Sequence, residues 1–171
     1  MTTAVLSLGS NVGDRRSHLS AALASLSPWL RAVSSVYVTP PWGGVDQDDF
    51  LNLVAVVDDP AAAPDDWLDR AQAVERDRDR DRSDDAVRWG PRTLDVDVLV
   101  VRGADGPVTS HDPRLLLPHP RLGERAFVLV PWAEIEPDAE VPGHGRVADL
   151  LAALPPDDRA GVVPDEGSGP R

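Results

Sequence analysis

The sequence predicts an α+β domain: one antiparallel sheet with helices on a single face, in the order β-α-β-β-α-β. Three observations predict it. Short apolar or β-branched runs occur at four places between Ala4 and Val101, two stretches among them space their apolar residues by three and four, and Gly, Pro, Asn and Asp punctuate the joins.

The first strand is the apolar run Ala4 to Leu8, ended by the turn sequence GSNVGD. Asp14 is placed to cap a helix whose Leu19, Ala22, Leu23 and Leu26 fall on one face. Ala32 to Val38 reads as a second strand, and a Pro/Gly loop, TPPWGGVDQDD, separates it from a third at Phe50 to Val57. Asp65 is expected to cap a second helix that carries Trp67, Leu68, Ala71 and Val74. A charged run, Glu75 to Asp85, leads to the fourth strand, Thr93 to Val101. This order is that of the ferredoxin-like split βαβ arrangement. Beyond it a C-terminal extension contains LLLPHPRLGERAFVLVPWAEIEP and a short helix near Val147 to Leu154. The domain is expected to span residues 1–154, with residues 155–171, poor in large apolar side chains, forming a disordered acidic tail.

Composition narrows the chemistry. The chain has no cysteine, so disulfide and thiolate chemistry are excluded, and the net charge of −12 argues against nucleic acid or an anionic membrane as partner. All 17 basic residues are arginine. A Walker-type phosphate loop and Schiff-base catalysis both need lysine and are excluded with it. Any phosphate must be held by arginine forks, a metal, or both. No apolar run approaches the ~20 residues of a membrane span, and a cytoplasmic location is expected.

Asp95 and Asp97 stand two apart in the fourth strand, so they share a face while Leu94, Val96 and Val98 share the other. Adjacent like charges repel, and a cation between them would relieve that. Magnesium takes one or two carboxylates plus phosphate oxygens, which this pair could supply; a solvated strand face is the competing explanation. Arg88 and Arg92 flank a Trp-Gly-Pro turn just before the pair and could hold phosphate. The run after Glu75 fits either a solvated helix end or a mobile arginine-bearing lid. His119 is fixed between two prolines, and Arg125 and Phe127 share a face if that segment is a strand. Phe50 and Asn52 share a strand face as well, so a flat heterocycle could stack between Phe50 and Phe127 while the Asn amide reads its edge; two ordinary core aromatics are the alternative.

Together LGSNVGDR (Leu8 to Arg15), TPP (Thr39 to Pro41), FLN (Phe50 to Asn52), QAVE (Gln72 to Glu75), RWGPRTLDVDVL (Arg88 to Leu99) and LPHPRLGERAFVLVPWAEIEP (Leu117 to Pro137) resemble one family, the 6-hydroxymethyl-7,8-dihydropterin pyrophosphokinases of folate biosynthesis. The resemblance runs from about residue 3 to residue 154. It implies that the pterin hydroxymethyl oxygen attacks the β-phosphorus of ATP and that AMP leaves. It implies two Mg2+ ions held by Asp95 and Asp97, with Arg92, Arg80 and Arg82 assisting the transfer. By the same resemblance ATP would meet Gln72, Glu75, Trp89, Arg92, Arg114, His119 and Arg125. The pterin would meet Thr39, Pro41, Trp42, Phe50, Asn52 and Phe127. Asp79 stands where the family usually has glycine, Pro120 where some members have an aromatic residue, and the loop from Arg82 to Trp89 is slightly longer. Two other functions share these residues: a non-catalytic small-molecule-binding module, and a magnesium-dependent phosphotransferase on another hydroxymethyl heterocycle. The partners implied are small molecules, with contact to other folate-pathway enzymes a further possibility.

Overall fold

The structure, a computed structural model, describes residues 1–40, 48–78 and 93–167. Its centre is β1 (Thr2–Ser10), the apolar run extended at both ends and buried on both faces. α1 (Arg15–Leu26) follows, capped by Asp14, whose side chain accepts from Ser17 N at 3.2 Å. Leu19, Ala22 and Leu26 are its buried face.

The predicted second strand is two strands, β2 (Leu30–Val33) and β3 (Tyr37–Thr39), both paired with β4 (Phe50–Asp59). Ser34 causes the break. Its Oγ accepts from Val54 N at 2.9 Å while its own N–H donates to Val54 O, so a side chain replaces one rung of the ladder. α2 (Pro64–Arg78) starts with Pro64 in the first turn, and Asp66 rather than Asp65 caps it, accepting from Ala63 N at 2.7 Å. Three residues separate Asp66 from Ala63, the spacing at which a side chain inside the helix reaches back to the capping position.

β5 (Asp95–Gly103) completes the core, and β6 (Gly106–Val108) extends its far edge. The small hairpin β7 (Ser110–Asp112) and β8 (Leu115–Leu117) leads to α3 (Ala126–Ile135). β9 (Glu140–Val141), β10 (Gly145–Arg146), α4 (Val147–Ala153), α5 (Pro156–Ala160) and β11 (Val163–Pro164) follow. Among the described residues the main sheet has seven strands in the order β11-β3-β4-β1-β5-β6, with β2 also on β4, and every pairing is antiparallel.

Helices cover both faces, not the one face the sequence predicts. Leu6, Leu8, Leu51, Leu53, Val96 and Val98 pack with α1 and α2 around Trp67. Val5, Val54, Val56, Leu99 and Val100 pack with α3 and α4 around Trp132. The extension therefore supplies a third layer. A bulge allows β5 to serve both: Val5 pairs with Val100 and Leu6 with Val98, leaving Leu99 as the extra residue. The freed Leu99 carbonyl accepts from His119 N at 2.8 Å, which docks the LPHP segment on the strand.

The C-terminal residues also differ from expectation. Residues 155–167 are ordered as α5 and β11, with β11 paired to β3 and Asp165 N donating to Val36 O at 2.9 Å. Asp165 meets Arg16 at 2.5 Å. This segment is held by backbone pairing on an open sheet edge, which needs few large apolar side chains. No described helix is long and apolar enough to cross a membrane.

Candidate active site

One end of the sheet carries polar residues on the α3 side. Along β4, Leu51 and Leu53 face α1 and α2, so Phe50 and Asn52 face the other way, in line with Val54 and Val56. The same alternation turns Ser7 and Gly9 of β1, and Asp95 and Asp97 of β5, to that face. Register brings them abreast: Asn52 pairs with Gly9 and Gly9 with Asp95, while Ser7 pairs with Asp97. Apolar side chains under α3 give way here to an amide, a glycine and two carboxylates.

Asn52 is 4% exposed and its Nδ2 donates to Thr39 Oγ1 at 2.5 Å. Both residues are expected to meet the pterin, and the fold joins them. Phe50, half-buried, opens the strand. Two residues of LGSNVGDR fix its approach: Asn11 Nδ2 donates to Asp48 O at 3.3 Å and Arg15 NH1 to Asp49 O at 2.7 Å. The motif is visible in the sequence, but nothing there shows that its side chains hold the backbone before Phe50. Pro41 and Trp42 lie outside the described residues, as do Arg80, Arg82, Trp89 and Arg92.

Arg125 and Phe127 do not share a strand face, because α3 begins at Ala126 with Arg125 as its capping residue. The run AFVLVPWAEI is apolar enough to be buried as strand or helix, and its length favours the helix. The two side chains still meet: the Arg125 guanidinium carbon lies 5.5 Å from the centre of the Phe127 ring. Arg125 NH1 approaches Asp97 Oδ2 at 3.5 Å, a loose ion pair. Burial draws the Arg125 pKa down, Asp97 and Asp95 push it back up, and an arginine so placed keeps its charge. A cation thus sits beside the carboxylate pair, as their repulsion requires.

His119 Nδ1 accepts from Arg121 N at 3.2 Å, which leaves its Nε2 as the donor. Burial, aided by Arg125 and Arg121, pushes its pKa down to about 4, so the ring is neutral near pH 7. Glu75 is tied to the strand itself: Oε1 accepts from Val96 N at 2.8 Å, between the two aspartates. Gln72 is exposed one turn earlier on α2. Arg114 NH2 lies 4.0 Å from Asp69 Oδ1 on α2. The fold thus gathers Asp95, Asp97, Arg125, Phe127, Thr39, Phe50 and Asn52 at one sheet end. His119 and Glu75 anchor beside β5, and Gln72 and Arg114 lie toward α2.

No group of three or more His, Cys, Asp or Glu able to hold a metal occurs among the described residues. Two carboxylates on one strand face are nevertheless the oxygen donor set that magnesium accepts when phosphates complete its shell. The residues fit such an ion.

Comparison with known proteins places the chain in a family. A profile of the family described as 7,8-dihydro-6-hydroxymethylpterin-pyrophosphokinase (HPPK) matches residues 5–137. The chain is 44% identical over 170 residues to the 2-amino-4-hydroxy-6-hydroxymethyldihydropteridine pyrophosphokinase of Mycobacterium tuberculosis, covering 95% of this chain and 89% of that one. It is 46% identical over 171 residues to the protein of that name from Mycobacterium leprae, covering 95% and 88%. The crystal structure of Plasmodium falciparum HPPK-DHPS wild type with pterin and p-hydroxybenzoate shares the fold, with a TM-score of 0.64 at 15% identity. The match covers 88% of this chain and 42% of that one, so this chain spans less than half of the solved protein. The chain belongs to the 7,8-dihydro-6-hydroxymethylpterin-pyrophosphokinase family.

Proposed function

We propose that the protein transfers a pyrophosphoryl group from ATP to the hydroxymethyl group of 6-hydroxymethyl-7,8-dihydropterin and releases AMP, a step of folate biosynthesis. The single observation that carries the site assignment is the row Asn52, Gly9, Asp95, which sets an amide and a carboxylate abreast on one sheet face. The pterin edge is read by Asn52 and Thr39, with Pro41 and Trp42 assigned to the same ligand by sequence, and the ring lies between Phe50 and Phe127. ATP lies on the β5 side, against Gln72, Glu75, Trp89, Arg92, Arg114, His119 and Arg125.

The reacting bonds are those of the family's reaction. The hydroxymethyl oxygen bonds to the β-phosphorus, the bond from that phosphorus to the oxygen bridging the α-phosphorus breaks, and AMP leaves with that oxygen. Two Mg2+ ions, when bound by Asp95 and Asp97, would neutralise charge across the triphosphate. Asp97 is the carboxylate assigned to help receive the hydroxyl proton. Arg92, Arg80 and Arg82 hold phosphate oxygens as charge shifts toward the leaving group. Arg125, now 3.5 Å from Asp97, is poised to exchange that partner for a phosphate. Neutral His119 can donate a hydrogen bond from Nε2, since its Nδ1 accepts from Arg121 N.

The strand order supports a ferredoxin-like core, since β5, β1, β4 and then β2 with β3 lie side by side as fourth, first, third and second strands. The fused HPPK-DHPS chain of Plasmodium falciparum supports contact with another folate-pathway enzyme. The test is 31P NMR of ATP, magnesium and protein with and without the pterin. AMP that appears only with the pterin, matched by a new pterin pyrophosphate, supports the assignment. ADP as product, or AMP independent of the acceptor, would overturn it.

A further inference from the structure

The centre of the row is the residue without a side chain. A Cβ on Gly9 would stand 2.5 Å from Asn52 Oδ1 and 3.6 Å from Asn52 Cγ and from Phe50 Cδ1. Gly9 is not among the positive-φ glycines, so glycine is needed here for space and not for backbone conformation. Asn52 has little freedom to yield. It is 4% exposed, and its amide nitrogen is held by Thr39 Oγ1 at 2.5 Å. Any side chain at Gly9 would push the amide off Thr39. In the register Gly9 lies between Asn52 and Asp95.

We propose that Gly9 is a positioning residue for the acceptor: its lack of a side chain lets Asn52 lie across β1 with its amide fixed by Thr39. This rests on the pterin reading above. The strand end of LGSNVGDR is then a space requirement, distinct from the contacts made by Asn11 and Arg15.

The test is a double-mutant cycle of Gly9→Ala and Asn52→Ala. Binding of 6-hydroxymethyl-7,8-dihydropterin is measured in the presence of magnesium and α,β-methylene ATP, and binding of the ATP analogue is measured separately. Gly9→Ala is expected to weaken the pterin roughly tenfold or more, with the nucleotide within about twofold. In the Asn52→Ala background, where no amide remains to be displaced, the same substitution should cost little further, the signature of residues acting as one unit. The melting temperature should fall in Gly9→Ala and recover in the double variant, which keeps the cycle readable if the single variant is poorly folded. Equal losses in both backgrounds, or equal weakening of pterin and nucleotide, would overturn the proposal. If wild-type protein binds no pterin, the functional reading fails; if it binds and Gly9→Ala binds equally, only the role of Gly9 fails.

Discussion

Glu75 separates a structural role from a ligand role. Replacing it with alanine removes the carboxylate that accepts from Val96 N at 2.8 Å, on the side of β5 away from β1. A hydrogen bond to a charged group contributes roughly 1.5–3 kcal/mol, and a buried amide left without an acceptor costs a similar amount. The bond is part-buried, so water can recover some of the loss, and a destabilisation of about 2 kcal/mol is expected. For a chain of this size that lowers the melting temperature by roughly 4–8 °C. Glu75→Gln keeps an oxygen acceptor at the same reach and should restore at least half of the loss. Urea unfolding of the three proteins without nucleotide gives the answer. Turnover of Glu75→Ala should fall as well, because Asp95 and Asp97 flank the amide that is released. Unchanged stability of Glu75→Ala, together with weaker ATP binding, would refute the strand-anchoring role.

Other expectations follow from neighbouring contacts. Because the folded His119 pKa of about 4 lies below the unfolded value of 6.5, the unfolded chain takes up a proton first as pH falls. Stability from this residue is intact above pH 6.5 and is lost progressively toward pH 4, by roughly 1–2 kcal/mol after discounting partial exposure. His119→Gln should lose that part of the pH dependence in urea titrations, and an identical acid profile would contradict it. Arg15→Ala frees Asp49 O, so the pterin KM should rise severalfold, on the order of 1 kcal/mol, with the ATP KM unchanged. Deleting residues 155–171 bares the edge of β3, and the shortened chain should melt lower and associate in light scattering; a monomer of unchanged stability would count against the edge-covering role.

Much of this was legible in residue order, for identifiable reasons. β1, β4 and β5 carry strong apolar runs, and their alternation already set Asp95 with Asp97 and Phe50 with Asn52. The split of the second strand was not legible, because it depends on one serine hydroxyl finding Val54 N across the sheet. Nor was the third layer: Ala126 to Ile135 is apolar throughout, so it carries no period that distinguishes a helix over a sheet from a strand within one. β11 escaped because edge pairing uses backbone groups that every residue has. At the site, residue types pointed to phosphate and heterocycle, whereas partnerships depend on distance. Glu75 accepts from Val96 N across to β5, and the Arg125 charge that stands beside Asp97 comes from the cap of a helix.

The central claim is that the carboxylate pair serves the chemical step and not merely the fold. Asp97→Asn keeps the size and hydrogen-bonding capacity of the side chain while removing its charge, so the rate of pterin-dependent AMP release in this variant is the most direct measurement. The rate should fall by about 10^3 or more, with pterin affinity and melting temperature near wild type. A variant that releases AMP at the wild-type rate would contradict the account.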